Sequence, residues 1–276
     1  MKTKIFSLLI LSMAYISLFA QSDDKAVFEQ YKLAINPKLD LDKLIVETGR
    51  FFLDRPYVAS TLEINDQEQL VVNLRELDCT TFVETTFALA LTAKSKEFTY
   101  DKFCRTLTKI RYRDGKIDQY PSRLHYFTDW IKDNTKKGLV KDVTKKISCD
   151  TIRFHDGFMS HNPDKYKALR EHPEFIPTIA AQENDINQRI YNYIPKADVA
   201  AKANKIKTGD IIAITTNLKG LDISHVGFAV WVGKELHFMH ASSTLKKVVI
   251  SDKTLAEYLN GVKIHTGIIV LRPIEE

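Results

Sequence analysis

After residue 20 the sequence holds no apolar run approaching the roughly 20 residues a membrane-spanning helix needs. Nor does one charge dominate: 40 basic side chains face 35 acidic ones. That balance gives no electrostatic argument for a nucleic-acid partner. The two lysine-rich stretches, NTKKGLVKDVTKK and KADVAAKANKIKTGD, are interleaved with acids, lack aromatic stacking residues and read as solvated faces and loops. No repeat, low-complexity segment or Pro/Gly/Ser linker divides the chain. Cysteine is scarce. Cys79, Cys104 and Cys149 are odd in number, so at least one is a free thiol or bonds to another chain. Cys104 and Cys149 are open to two readings, a disulfide or two buried thiols.

What is present at the start is an export signal. Residues 1–20, MKTKIFSLLILSMAYISLFA, join two lysines to a short apolar run and end on Ala20. Cleavage there makes Gln21 the mature N-terminus, with Leu18 in place of a small residue at the third position before the cut. No cysteine follows the apolar run, so a lipoprotein anchor is not expected. The mature chain, 256 residues once 20 of the 276 are removed, is long enough for a substantial core and is expected as one domain over 21–276. Losing Lys2 and Lys4 leaves 38 basic against 35 acidic residues, a net of +3. The expected product is exported to the periplasm, with no stable membrane insertion.

The first part, about 22–148, reads as helices with apolar residues at three- and four-residue intervals: DDKAVFEQYKLAI, LDKLIVETGRFFLD, the stretch after Cys79, YDKFCRTLTKIRYR and SRLHYFTDWIKDNTKK. EQLVVNL is a candidate short strand or turn. Residues 150–205 are polar and poorly periodic, as expected of a long excursion over a functional face. From about 209 to 273 the texture is that of strands: DIIAITT, HVGFAVWV, ELHFMHAS, KKVVIS and TGIIVLRP, with VGKE as a tight hairpin turn and SDKTLAEYL as an inserted helix. Helices followed by an antiparallel sheet define an α+β class.

Cys79 stands at a predicted helix start, in RELDCTTFVETTFALALTA, where Thr80, Thr81 and Glu84 fit the first turn. Unpaired helix N–H groups there favour a thiolate. Two histidines follow at strand positions. His225 opens one strand and His240 ends the next, with the turn near Gly233 between them, so a regular hairpin sets them close to directly opposite on one face. His237, three residues from His240, points the other way. A cysteine, a histidine base and a second polar group that orients the imidazole follow the logic of cysteine hydrolases. A buried core cysteine with two ordinary, satisfied strand histidines is one competing reading, and a Cys-His-His zinc site is another, but no pair of these ligands has the short spacing of compact metal sites. No metal or cofactor is therefore expected.

LDCTTFVETTFALA, GDIIAITT, ISHVGFAVWV and LHFMHASS resemble the NlpC-like branch of papain-fold cysteine hydrolases, which act on bacterial cell-wall peptides. RPYVASTLE, LVVNLRELDCTTFVE, YPSRLHYFTDWIKDN and HASSTLKKVVIS more closely resemble its N-acetylmuramoyl-L-alanine amidase-like subfamily, over nearly the whole mature chain. The resemblance implies a papain-like fold and a triad of Cys79, His225 and His240. It implies substrate contacts from Asp78, Thr80 and Tyr57, although Asp78 also reads as a helix cap and Tyr57 as a core aromatic. PSRLHYFTDW is a candidate cleft segment in which Arg123 and His125 could meet a carboxylate or a sugar, or simply sit at a helix start. Thr80 departs from the serine or valine of many relatives. The implied reaction is hydrolysis of the amide between N-acetylmuramic acid and L-alanine in peptidoglycan fragments. A D-glutamyl-diamino acid endopeptidase and a non-catalytic wall-binding module are the alternatives.

Overall fold

The computed structural model describes residues 23–275, so the expected signal at 1–20 lies outside the described residues. Helices lead: α1 (residues 23–34), α2 (Leu41–Phe51), α3 (Cys79–Lys94), α4 (Tyr100–Arg111) and α5 (Phe127–Lys136). In α3 every residue from Thr81 to Ala93 is buried. A helix apolar on all sides needs cover on all sides. It receives that cover from α2, α4 and two strands of the sheet.

The sheet has seven strands and pairs antiparallel throughout. Its main strands are β5 (Ile211–Thr216), β6 (Ile223–Val232), β7 (Glu235–Ser242), β8 (Lys247–Thr254) and β9 (His265–Pro273). Two short strands from earlier in the chain, β1 (Val140–Asp142) and β4 (Ile194–Pro195), pair with β9 and extend the sheet beyond the predicted 209–273 region. An α+β architecture is what the sequence leads one to expect. One sheet face, with Val226, Phe228 and Met239, packs on the α3 layer. The other face, with Ile212, Ile214, Ala229 and Phe238, is covered by α10 (Leu255–Asn260) and the short helix α9 (Val199–Lys202).

Three local expectations change. EQLVVNL forms no strand, because side chains rather than a neighbouring strand satisfy its backbone: Arg111 donates to the Val71 carbonyl (2.6 Å) and Tyr112 to that of Gln69 (3.1 Å). Just beyond, Leu74 N–H donates to Asp24 (2.9 Å). The predicted helix at 251–259 begins only at Leu255, where Thr254 and Glu257 form a reciprocal capping box, and β8 runs on to Thr254. Finally, the 150–205 excursion is largely structured. It carries a two-stranded ladder of β2 (Thr151–Ile152) with β3 (Tyr191–Asn192), the short helices α6 (Phe158–His161) and α7 (Lys167–Glu171), and α8 (Ile176–Asn187). Glu183 of α8 ties it down, accepting from Tyr126 Oη (2.7 Å) and from the N–H groups of Met159 and Ser160 (both 3.1 Å). All three cysteines are free, with Cys149 exposed, so the disulfide reading of Cys104 and Cys149 does not hold.

Candidate active site

Asp78 is the N-cap of α3. Its Oδ1 accepts from Thr81 N–H (2.8 Å), while Thr81 Oγ1 accepts from Asp78 N–H (2.9 Å), which fixes the first turn and with it Cys79. Under that turn, buried Glu84 is neutralised by Arg111 (2.6 Å). The Cys79 sulfur is met by the N–H and hydroxyl of Thr80 and by the backbone of Val226 on β6. The expected resting thiolate is not what this environment favours. Burial, reinforced by the Asp78 charge, pushes the Cys79 thiol up to about 12 against those hydrogen bonds.

The hairpin turns at Gly233 (φ +61°), with Val232 opposite Glu235 and Phe228 opposite Met239. Continued, that register sets His240 across from Gly227, two residues from His225, which corrects the expected direct opposition. An offset of two keeps the histidines on one face, and His225 Nε2 lies 2.7 Å from His240 Nδ1. Gly227 is required at this crossing, since a Cβ there would lie 2.4 Å from the Met239 carbonyl and 2.7 Å from the Phe238 ring. His237 turns away, its Nδ1 bonding the Ser251 carbonyl (2.8 Å). Burial, helped by His240 and His265, lowers His225 to about 3. Burial alone, against a hydrogen bond to the Ala241 backbone, lowers His240 to about 4. Both rings are therefore neutral near pH 7, and one proton is shared between the facing nitrogens. Nδ1 of His225 remains as its second ring nitrogen.

Cys79, Thr80, His125 and His225 line one cavity of about 220 Å³, together with Phe127 and Asp222. His240 stands behind His225 rather than in the wall. Asp222 accepts from the Thr128 and Ile223 N–H groups (both 2.7 Å). It was not singled out in the sequence, although it stands just before ISHVG. Tyr57 lies beside Cys79 and Asp78, and its phenol is pushed up to about 12 by burial and by those charges. His125 is held by the Tyr120 carbonyl (3.0 Å) and lowered to about 3 by burial and by Arg123. Arg123 is brought elsewhere. It pairs with Glu63 (3.0 Å) and Glu68 (3.1 Å), lies over the Tyr120 ring and lines a neighbouring cavity of about 380 Å³. Two carboxylates already neutralise it, which leaves little charge for a substrate carboxylate. Among the described residues no three His, Cys, Asp or Glu side chains converge as metal ligands.

A thiol at a helix start, an imidazole in the same cavity and a second imidazole bonded to the first form an arrangement chemically capable of nucleophilic acyl transfer. Residues 47–268 match the family model described as AmiA-like, N-acetylmuramoyl-L-alanine amidase-like, and the chain belongs to that family. Among solved structures it is similar to an N-acetylmuramoyl-L-alanine amidase from Bacteroides uniformis, with 44% identity over 85% of this chain and 99% of that one and a TM-score of 0.82. A Bacteroides fragilis structure with a provisional xylanase name is 44% identical, covering 82% of this chain and 99% of that one, with a TM-score of 0.79. A Legionella pneumophila protein shares the fold at 23% identity, over 95% and 97% of the two chains, with a TM-score of 0.71. The comparison with curated proteins gives no match.

Proposed function

We propose that this chain is an exported, periplasmic cysteine amidase of papain-like, NlpC-like descent, acting on peptidoglycan fragments at the amide between N-acetylmuramic acid and L-alanine. The observation that carries the reading is Cys79 on the first turn of α3, lining one cavity with a His225 that is bonded to His240. Family membership and the amidase name of the Bacteroides uniformis structure support the substrate class.

Cys79 Sγ attacks the lactyl carbonyl carbon as its proton passes to Nδ1 of His225. The thiolate and imidazolium that then form stabilise each other, offsetting the desolvation that keeps each neutral alone. His240, through its 2.7 Å bond, fixes the tautomer and orientation of His225. The oxyanion is received by N–H groups at the α3 start, that of Cys79 among them. The imidazolium protonates the leaving amine of L-alanine. Water, deprotonated by His225, then hydrolyses the thioester and restores the thiol.

A glycosidase reading is not favoured, because glycoside hydrolysis takes two carboxyl groups flanking the bond and, among the described residues, Asp222 is the one Asp or Glu in the cavity wall. The test is digestion of defined muropeptides with product mass spectrometry. Release of intact stem peptide by the wild type, absent in Cys79→Ala, is expected. Retained release by Cys79→Ala overturns the mechanism, and products beginning with a free diamino acid assign an endopeptidase instead.

A further inference from the structure

The mechanism uses His225 and His240 but leaves unexplained what holds them from the side away from α3. That side is closed by α10, a six-residue helix inserted between β8 and β9. Leu255 and Leu259 anchor it, both fully buried in the core on this face. The anchors bring the intervening Tyr258 ring over the imidazole pair. Its centroid is 5.1 Å from that of His240 at 63°, and 6.4 Å from that of His225 at 28°, close to parallel. Phe238 packs on the same pair, stacked 4.7 Å from His240 at 17° and edge-on 5.7 Å from His225. Beyond Tyr258 stands His265, 5.8 Å away at 30°. Phe238 and Tyr258 also touch each other, 5.3 Å apart, so His240, Phe238 and Tyr258 form one three-ring cluster brought by β7 and α10, and both aromatic rings pack against His225 as well.

We propose that Tyr258 is a positioning residue for the His225–His240 pair, its ring rather than its hydroxyl fixing the orientation of both imidazoles and keeping water from them. The proposal rests on the assignment of Cys79 and His225 as nucleophile and base. At 6.4 Å and 28° the Tyr258 ring flanks His225 as an offset stack, which restricts rotation of the imidazole and shields it from water. The ionisable groups facing His225 are Cys79 from α3, His125 and Asp222 from the shared cavity wall, His240 from β7, His265 from β9, with Lys196 acting on His265, and the Tyr258 phenol itself. Tyr258 adds a π face without adding a charge.

The test compares Tyr258→Phe with Tyr258→Leu, each checked for native circular dichroism. Tyr258→Phe is expected near the wild-type rate. Tyr258→Leu is expected to lose roughly 10- to 100-fold in kcat, the scale of a misaligned catalytic group, with KM little changed and the acid limb of the pH profile moved upward as water reaches His225. Peptide-resolved alkylation of Cys79 against pH gives a second readout that needs no muropeptide, with Cys104 in the same digest as the internal control. Its profile is expected to change in Tyr258→Leu and to be preserved in Tyr258→Phe. Wild-type kcat and an unchanged Cys79 profile in a folded Tyr258→Leu protein would overturn the proposal. So would equal losses in both variants, which would assign the effect to the hydroxyl. If the wild type cleaves no muropeptide, the amidase reading fails while the alkylation profiles still decide the role of Tyr258.

Discussion

The two faces of the β6–β7 hairpin are built for opposite purposes. The face toward α3 is apolar and close-packed: Phe82 meets Phe228 edge-on at 5.7 Å and Phe52 at 6.4 Å, while Gly49 admits the tip of Met239. The face toward α10 carries His225 and His240 among Phe238 and Tyr258, with His265 of β9 beyond Tyr258, so polar groups there stand in an aromatic enclosure. His265 Nδ1 is buried without a hydrogen-bond partner. One face supplies cohesion, and the other spends part of it on neutral imidazoles. The thiol and the imidazole reach their common cavity from different layers, meeting where β6 begins.

Substitutions that damage one face and spare the other test this division. The largest effect is expected for His225→Ala, a loss of roughly 10²- to 10⁴-fold in kcat/KM for muropeptide cleavage with little change in melting temperature. On the opposite face, Phe82→Ala should cost about 3–5 kcal/mol in denaturant unfolding, since the ring is fully buried. A comparable loss on one face only would undo the contrast.

Acid should act through the buried histidines of the polar face and of the cavity wall. His225 and His125 are lowered to about 3, and His240 and His265 to about 4, so between those values and 6.5 the unfolded chain binds protons that the folded chain refuses. Stability then falls as pH drops below about 6.5, by on the order of a few kcal/mol by pH 4. Melting curves at pH 7 and 4.5 check the sign. Asp78→Ala, at the boundary between the layers, should cost about 0.5–2 kcal/mol through the lost cap, with a modest drop in kcat as the α3 start loosens. Smallest of all, Lys247→Gln breaks an exposed pair with Asp54 and should leave the melting temperature within experimental scatter.

Much of this plan was legible in the residues because it rests on local rules. VGKE marks a two-residue turn, and ELHFMHAS coincides with β7. Asp78 with Thr81 specifies a helix beginning at Cys79. The His225–His240 pairing was legible to within two residues, because hairpin register depends on how many residues the turn consumes. What stayed hidden depends on contacts distant in sequence. Arg123 looks like a free cation until the fold brings Glu63 and Glu68 to it. EQLVVNL has strand composition, yet its hydrogen bonds are taken by Arg111 and Tyr112. Tyr258 is one tyrosine among 11 until α10 sets it on the histidines. The protonated resting thiol is hidden for a related reason: the helix start favours thiolate, but the burial that opposes it comes from the whole surrounding layer.

His225 lines the cavity, while its chain neighbour Val226 bonds the Cys79 sulfur through the backbone. A single peptide link therefore sets the spacing between the contact that holds the thiol and the group that faces it. Side-chain packing can loosen with temperature or mutation, but a covalent step of 3.8 Å between successive Cα atoms cannot. Thermal breathing of the 150–205 wall should thus widen the room for a ligand well before it alters the alignment of sulfur and imidazole. Heating should weaken ligand affinity first and the chemical step only later.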